Sequence, residues 1–212
     1  MSVGPLCTAV FVPITGMGSL FKPAVFFVVL LPFGLLVLRV LQNSLGPDPA
    51  QELAIETGEW TLRLLLITLC MTPLRQLTGR LEFVRVRRMV GLFALFYASV
   101  HFLVWISFLL SFRWFAIAEE LVERPYITVG FAAYLILIAL GVTSPLAMVR
   151  KLGRNWKRLH RLVYLAAILA VIHLLWILRT NISEAVIYGA ILAILLGYRL
   201  ASYVGKQNRT AR

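Results

Sequence analysis

The sequence predicts an all-α integral membrane protein, a six-helix bundle with both termini in the cytoplasm. Of its 212 residues, 60% are hydrophobic and only 14% are charged, and the mean hydropathy is +0.87. An ordinary soluble domain carries about 25% charged residues. The second observation is that long apolar stretches alternate with short charged segments. Because a membrane-spanning helix needs about 20 apolar residues, six spans use most of the length and leave no soluble domain.

The predicted spans are 24–41, 60–75, 89–112, 126–148, 159–178 and 185–203. Together they form one transmembrane domain over residues 24–203. Residues 1–23 are predicted to be an N-terminal arm, which we expect to be retained because it lacks the positively charged start of a secretory signal. Residues 204–212 form a basic cytoplasmic tail. Pro32 marks a candidate kink in the first span.

The basic residues predict the orientation. The N-terminus, the loops at 75–88 and 149–161 and the chain from Arg199 onward together hold 16 of the 21 Lys and Arg residues, but one of the nine acids. The positive-inside rule places that side in the cytoplasm. The net charge of +12 therefore reflects orientation in membrane lipid, and a nucleic-acid partner is not expected.

Two of the three histidines are predicted to lie at one depth in the membrane. His101 follows Arg88 by 13 residues and His173 follows Arg161 by 12, on two spans that both run outward from the cytoplasm. At 1.5 Å per residue, both lie roughly 18–20 Å from the cytoplasmic edge. Two imidazoles on parallel helices can bind one metal from opposite sides, as haem iron allows. The alternatives are a hydrogen-bonded packing histidine or a proton relay.

The third histidine, His160, is predicted to lie outside the pair formed by His101 and His173. His160 lies at the cytoplasmic edge and precedes His173 by 13 residues, which is about 220° around an ideal helix. Opposite it, the start of the third span offers Arg87 and Arg88 and no histidine. A second haem held by two histidines is therefore not expected, whereas a haem with another sixth ligand, a quinone or a flavin near His160 stays open.

Two arginines are further candidates. Arg39 and Arg63 fall at the outer ends of the first two spans. They either extend to the membrane interface or pair with haem propionates. The acidic segments at 42–59 and 116–124 are predicted to be loops on the same outer side, where they offer docking surfaces through charge complementarity.

Four segments together resemble the MsrQ family, formerly YedZ: LGPDPAQELAIETGEWTLRLLLITLCMTPLRQ, RRMVGLFALFYASVH, ERPYITVG and TSPLAMVRKLGRNWKRLHRLVYLAAILAVIHLLW. The likeness covers roughly residues 40–177. The family is part of the broader ferric reductase-like transmembrane group. Its histidines fall on His101, His160 and His173. The wider group carries two histidines on each of two helices, whereas this chain has only one in its third span.

The resemblance implies a b-type cytochrome of a bacterial inner membrane. Such a subunit takes electrons from the respiratory quinone pool, has been associated with bound flavin mononucleotide (FMN), and passes electrons to a periplasmic molybdenum-containing reductase that repairs methionine sulfoxide. It is an electron-transfer subunit with no catalytic residues of its own. Two other functions stay open: a stand-alone ferric or quinone reductase, and a transporter or assembly protein whose histidines relay protons.

Overall fold

The computed structural model describes residues 17–178 and 182–210, and helices cover most of them. Nine α-helices follow in chain order within this part of the chain: α1 (Met17–Leu41), α2 (Pro49–Thr78), α3 (Glu82–Val104), α4 (Trp114–Glu123), α5 (Pro125–Val142), α6 (Leu146–Leu152), α7 (Arg154–Leu159), α8 (Leu162–Ile177) and α9 (Ile182–Thr210). A π-helical turn, Trp105–Leu109, continues α3. The all-α class is confirmed.

Within the part of the chain that the structure describes, five stretches of helix are long and apolar enough to cross a membrane: Leu20–Leu41, Glu82–Leu109, Pro125–Val142, Arg154–Ile177 and Ser183–Gly205. The predicted second span, 60–75, lies within α2, which is not among them. Its central leucines are nevertheless among the most buried side chains of the molecule: Leu62, Leu64, Leu65, Leu66 and Leu69. Protein rather than lipid surrounds this helix, so it needs less apolar surface. The count of six spans stays a prediction.

Two pairs of helices make the most extensive contacts, α2 with α3 and α5 with α8. α1 packs on α3, and α9 packs on α8 and α2. The core between the two pairs contains alanines with no exposed surface, Ala94 of α3 and Ala166 and Ala167 of α8. Such small residues let membrane helices approach closely. The outward faces carry exposed leucine, valine and phenylalanine side chains, as expected of a surface that meets lipid.

The buried Tyr97 hydrogen-bonds to the backbone of α1 beside the predicted kink at Pro32. Its hydroxyl donates to the carbonyl of Val29 and accepts from the backbone N–H of Phe33, both at 2.9 Å. In a regular helix those two backbone groups would bond to each other. The hydroxyl is thus inserted into the hydrogen-bond ladder of α1, one of the recognised causes of a kink.

The ends of α2 follow local sequence signals. The Asp48 side chain accepts from the backbone N–H of Gln51 at 3.1 Å, and Pro49 occupies the first turn. At the other end, Gly79 adopts φ of 72° and its N–H donates to the carbonyl of Arg75. Both are common helix caps. Because α2 begins this early, most of the predicted acidic loop 42–59 is helical.

Other boundaries also differ from the prediction. The third span, expected to reach 112, ends in the π-helical turn, after which Ser111 and Phe112 adopt positive φ. The predicted acidic loop 116–124 is largely α4. The helix α1 starts at Met17 and α9 continues to Thr210. Residues 1–16 of the predicted arm, together with 179–181 and the last two of the tail, lie outside the described residues.

Candidate functional site

His101 on α3 and His173 on α8 face each other across the bundle. Their ring centroids are 6.3 Å apart and their ring planes are 83° apart. The two residues are 72 positions apart in sequence and belong to different helix pairs. The matched depth of the two histidines predicts that they lie close together, and the structure brings the two rings together.

One nitrogen of each ring is bound to a backbone carbonyl. The Nδ1 of His101 lies 2.8 Å from the carbonyl oxygen of Ala54 on α2. The Nδ1 of His173 lies 2.7 Å from the carbonyl oxygen of Tyr126 on α5. Since a carbonyl oxygen only accepts, each Nδ1 carries the proton and donates. Each Nε2 then keeps its lone pair for a metal, the arrangement that orients metal-binding histidines in proteins.

A glycine lies against each ring. A Cβ atom at Gly58 would lie 3.2 Å from Cε1 and Nδ1 of His101, and one at Gly130 would lie 2.7 Å from the same atoms of His173. Neither position has room for a larger residue without a shift of the imidazole. The glycines therefore let α2 and α5 approach the rings closely enough for their carbonyls to accept the Nδ1 protons.

The two halves of the site repeat one pattern that the sequence argument missed. Each histidine follows its acceptor residue by 47 positions, and each contacts the glycine one helical turn after that acceptor. Gly58 and Gly130 thus precede their histidines by an equal number of residues. That equal spacing, 43 residues, is present in the sequence and is the signal that would have pointed to the glycines.

The separation of the rings fits two ligands on one metal. Bonds from a metal to histidine nitrogen of about 2.0–2.1 Å place two opposed imidazole centres about 6–6.5 Å apart, and 6.3 Å is observed. The described residues contain no group of three or more His, Cys, Asp or Glu that could hold a metal ion. A metal between these rings therefore needs its remaining ligands from a cofactor.

His160 lies in a separate environment, on the turn between α7 and α8. Its ring stacks on Trp156 with centroids 4.0 Å apart, and its Nδ1 lies 3.3 Å from the carbonyl oxygen of Trp156. The indole Nε1 of Trp156 donates to the carbonyl of Thr143 at 2.9 Å. Arg87 lies within electrostatic range of His160, at the start of the third span, where Arg87 and Arg88 were predicted to lie opposite it.

Arg39 and Arg63 already have carboxylate partners. Arg39 forms ion pairs with Glu52 and Glu56. Arg63 pairs with Glu59 at 2.5 Å and donates to the Tyr188 hydroxyl at 2.9 Å. These contacts tie α1 to α2 and α2 to α9. They also neutralise much of the negative charge of residues 42–59, which were predicted to form an acidic docking loop.

The fold and the site together define a class: a multi-pass helical membrane protein with two facing histidines that can bind one metal centre. A family model described as ferric reductase like transmembrane component matches residues 57–171. The protein-methionine-sulfoxide reductase heme-binding subunit MsrQ of Xanthomonas campestris pv. campestris (strain 8004) is 50% identical over 170 residues, which are 80% of this chain and 78% of the relative.

A second relative with the same name, from Bordetella pertussis (strain Tohama I), is 42% identical over 184 residues, which are 86% of this chain and 89% of the relative. The chain belongs to the MsrQ family of ferric reductase-like membrane proteins. It is a multi-pass protein of a bacterial inner membrane, which the five apolar helices among the described residues and the transmembrane family match support.

Proposed function

We propose that this protein is a membrane electron carrier that binds one haem b between His101 and His173. The observation that carries the proposal is the pair of imidazoles at the spacing of two opposed ligands, each with its Nδ1 proton held by a carbonyl. A porphyrin is a cofactor that supplies four ligands in one plane and leaves two positions for histidine. The name of the relatives, heme-binding subunit, agrees with this assignment.

The protein side of the site has defined tasks. Bound haem would supply a one-electron couple near the outer half of the membrane. The carbonyls of Ala54 and Tyr126 fix the tautomer of the two ligands and raise their basicity, as partners of metal-bound histidines do. Gly58 and Gly130 leave room for the backbones of α2 and α5 to lie directly against the rings of His101 and His173, which holds those rings in position. The surrounding buried alanines and leucines exclude water.

For the direction of transfer, we propose that electrons come from the quinone pool, with FMN as a further carrier, and leave to a periplasmic molybdenum-containing subunit that reduces protein methionine sulfoxide. The relatives' name supports a reductase partner. The quinone, the flavin and the molybdenum rest on the family resemblance stated for the sequence. The outer position of the histidine pair favours transfer to that side over a short gap.

We assign six spans, α2 included, with both termini in the cytoplasm. The enclosed position of α2 explains its lower hydropathy, and the distribution of basic residues supports the orientation. A fusion of green fluorescent protein to the C-terminus is expected to fluoresce, while an alkaline phosphatase fusion at the same point is expected to be inactive. The opposite pair of results would overturn the orientation.

A proton-relay function receives less support from the geometry. Each Nδ1 donates to a backbone carbonyl oxygen, which cannot pass the proton on. A stand-alone ferric or quinone reductase would use the same haem and would differ from the proposed function only in the molecule that accepts the electrons. Reduced protein that reoxidises rapidly with a ferric chelate, and slowly with a periplasmic reductase, would favour it.

The test is the optical spectrum of the purified protein. Reduction with dithionite is expected to give the sharp α-band of a low-spin b-type haem. His101→Ala and His173→Ala are each expected to abolish that band, while His160→Ala, outside the pair, keeps it. Colourless protein, or full haem content in both paired variants, would refute the assignment.

A further inference from the structure

A cavity of about 270 Å³ lies between the last turns of α2 and the second half of α9. This is the basic side that the sequence assigns to the cytoplasm. Its wall includes Thr72, Gln76, Tyr198, Arg199 and Ser202. The Tyr198 hydroxyl donates to Oε1 of Gln76 at 3.1 Å, which leaves the amide N–H groups of Gln76 as donors. The wall therefore offers several hydrogen-bond donors beside the apolar surface of Pro73 and Tyr203.

Arg199 lines this cavity and Arg87 contacts one of its wall residues, and neither has an acidic ion-pair partner among the described residues. The guanidinium of Arg199 lies 4.8 Å from the centre of the Tyr164 ring. The partly buried Arg87 donates to Oγ1 of Thr72, a wall residue, at 3.2 Å, and it lies within electrostatic range of Arg199. Among the described residues, ion pairs engage Arg39, Arg63 and Arg124 and neither of these two.

Two like charges held together in a partly buried site favour an anion between them. Guanidinium forks with hydroxyl and amide donors match the oxygens of a phosphate ester, which accept several hydrogen bonds at once. The cavity is smaller than the about 300–1,000 Å³ of pockets that enclose a whole small molecule. It therefore suits one polar part of a larger molecule.

The surface beside the cavity is apolar and exposed. Leu200, Tyr203 and Val204 of α9 have 66%, 60% and 46% of their surface exposed, on a helix that meets lipid. We propose that the cavity binds the phosphate headgroup of an anionic phospholipid, whose acyl chains lie along this face of α9. Basic pockets between helices near the cytoplasmic surface are known to bind such headgroups. The site is distinct from the histidine pair and does not depend on it.

The experiment measures lipid binding to the whole purified protein by native mass spectrometry. Protein stripped of lipid in detergent is titrated with phosphatidylglycerol, cardiolipin and phosphatidylcholine. We expect phosphatidylglycerol and cardiolipin to bind at least about tenfold more tightly than phosphatidylcholine, and Arg199→Gln and Arg87→Gln to remove most of that preference. Arg80→Gln is the matched control, since Arg80 is an exposed arginine on the same side and does not line the cavity.

The folding of each variant is followed by circular dichroism and gel filtration, and Arg199→Lys, which keeps the charge, is expected to bind with intermediate strength. Equal binding of all three lipids, or equal losses in Arg199→Gln and Arg80→Gln, would overturn the proposal. Inorganic phosphate and FMN are titrated in parallel. Tight binding of either one that anionic lipid does not displace would assign the cavity to a soluble phosphate instead.

Discussion

Substitution of Gly130 by alanine tests whether close packing holds the histidine pair in place. The added methyl group would meet Cε1 and Nδ1 of His173 at 2.7 Å and Cγ at 3.0 Å, distances that real side chains do not tolerate. The ring cannot retreat freely, because its Nδ1 is bound to the carbonyl of Tyr126 at 2.7 Å. Either the helix pair α5–α8 opens or the imidazole leaves its position.

The expected magnitude follows from two opposing effects. Overpacking of a filled site costs about 1–3 kcal/mol, whereas glycine to alanine in an unobstructed helix gains about 0.4–1 kcal/mol. Gly130→Ala is therefore expected to lose about 1–2 kcal/mol of stability. Gly58→Ala, with its contacts at 3.2 Å, is expected to lose less. Gly34→Ala is the control, since a Cβ there meets nothing within 4 Å.

The assay is thermal unfolding in detergent followed by circular dichroism, with the haem spectrum recorded on the same samples. We expect the melting temperature to fall in the order Gly34→Ala, Gly58→Ala, Gly130→Ala, with Gly34→Ala at or above the unmodified protein. The α-band of Gly130→Ala is expected to broaden or weaken. Gly130→Ala that matches Gly34→Ala in both measurements would refute the packing argument.

Three further outcomes are expected. Tyr97→Phe leaves two backbone groups at the Pro32 kink without their partner, and thermal unfolding is expected to show a loss of about 1–3 kcal/mol. The hydrogen bond from the backbone N–H of Gly46 and the ion pair with Arg39 hold the pKa of the Glu52 carboxyl below its usual 4.5. The ionised carboxylate therefore contributes its full stability above pH 4.5 and loses that contribution as the pH falls below it. Glu52→Gln is expected to make stability depend less on pH in the acid range, and an unchanged dependence would contradict this. His160→Ala is expected to leave the haem content of the purified protein unchanged, and a loss of half or more would indicate a second ligand site.

The helices and the histidine pair could be predicted from the sequence because each depends on a short-range rule. Runs of apolar residues predict five of the spans that the described residues contain, and counting 12 or 13 residues from an arginine predicts that His101 and His173 lie close together. The caps of α2, Asp48 and Gly79, are equally local signals. Each of these features follows from chain geometry and from the exclusion of charge from hydrocarbon.

What the sequence did not give depends on contacts between distant helices. The hydrogen bonds of the Tyr97 hydroxyl to the backbone of α1 depend on how α1 and α3 align. Gly58 and Gly130 are important because in each case a histidine 43 residues later packs against the glycine. The helical start of α2 differs from the predicted loop because its acids Glu52, Glu56 and Glu59 form ion pairs with Arg39 and Arg63. The helix α4 replaces the predicted loop 116–124, and the π-helical turn ends the predicted third span early, and neither segment contains a glycine or proline to mark the change.

The most direct test of the central proposal is the electron paramagnetic resonance spectrum of the oxidised, purified protein. Two axial imidazoles whose planes are 83° apart are expected to give the highly anisotropic low-spin ferric signal that perpendicular ligands produce. His101→Ala and His173→Ala are each expected to abolish it. A rhombic low-spin signal, which parallel imidazoles produce, or a high-spin signal in the unmodified protein would contradict the assignment of these two rings as the ligands of one haem.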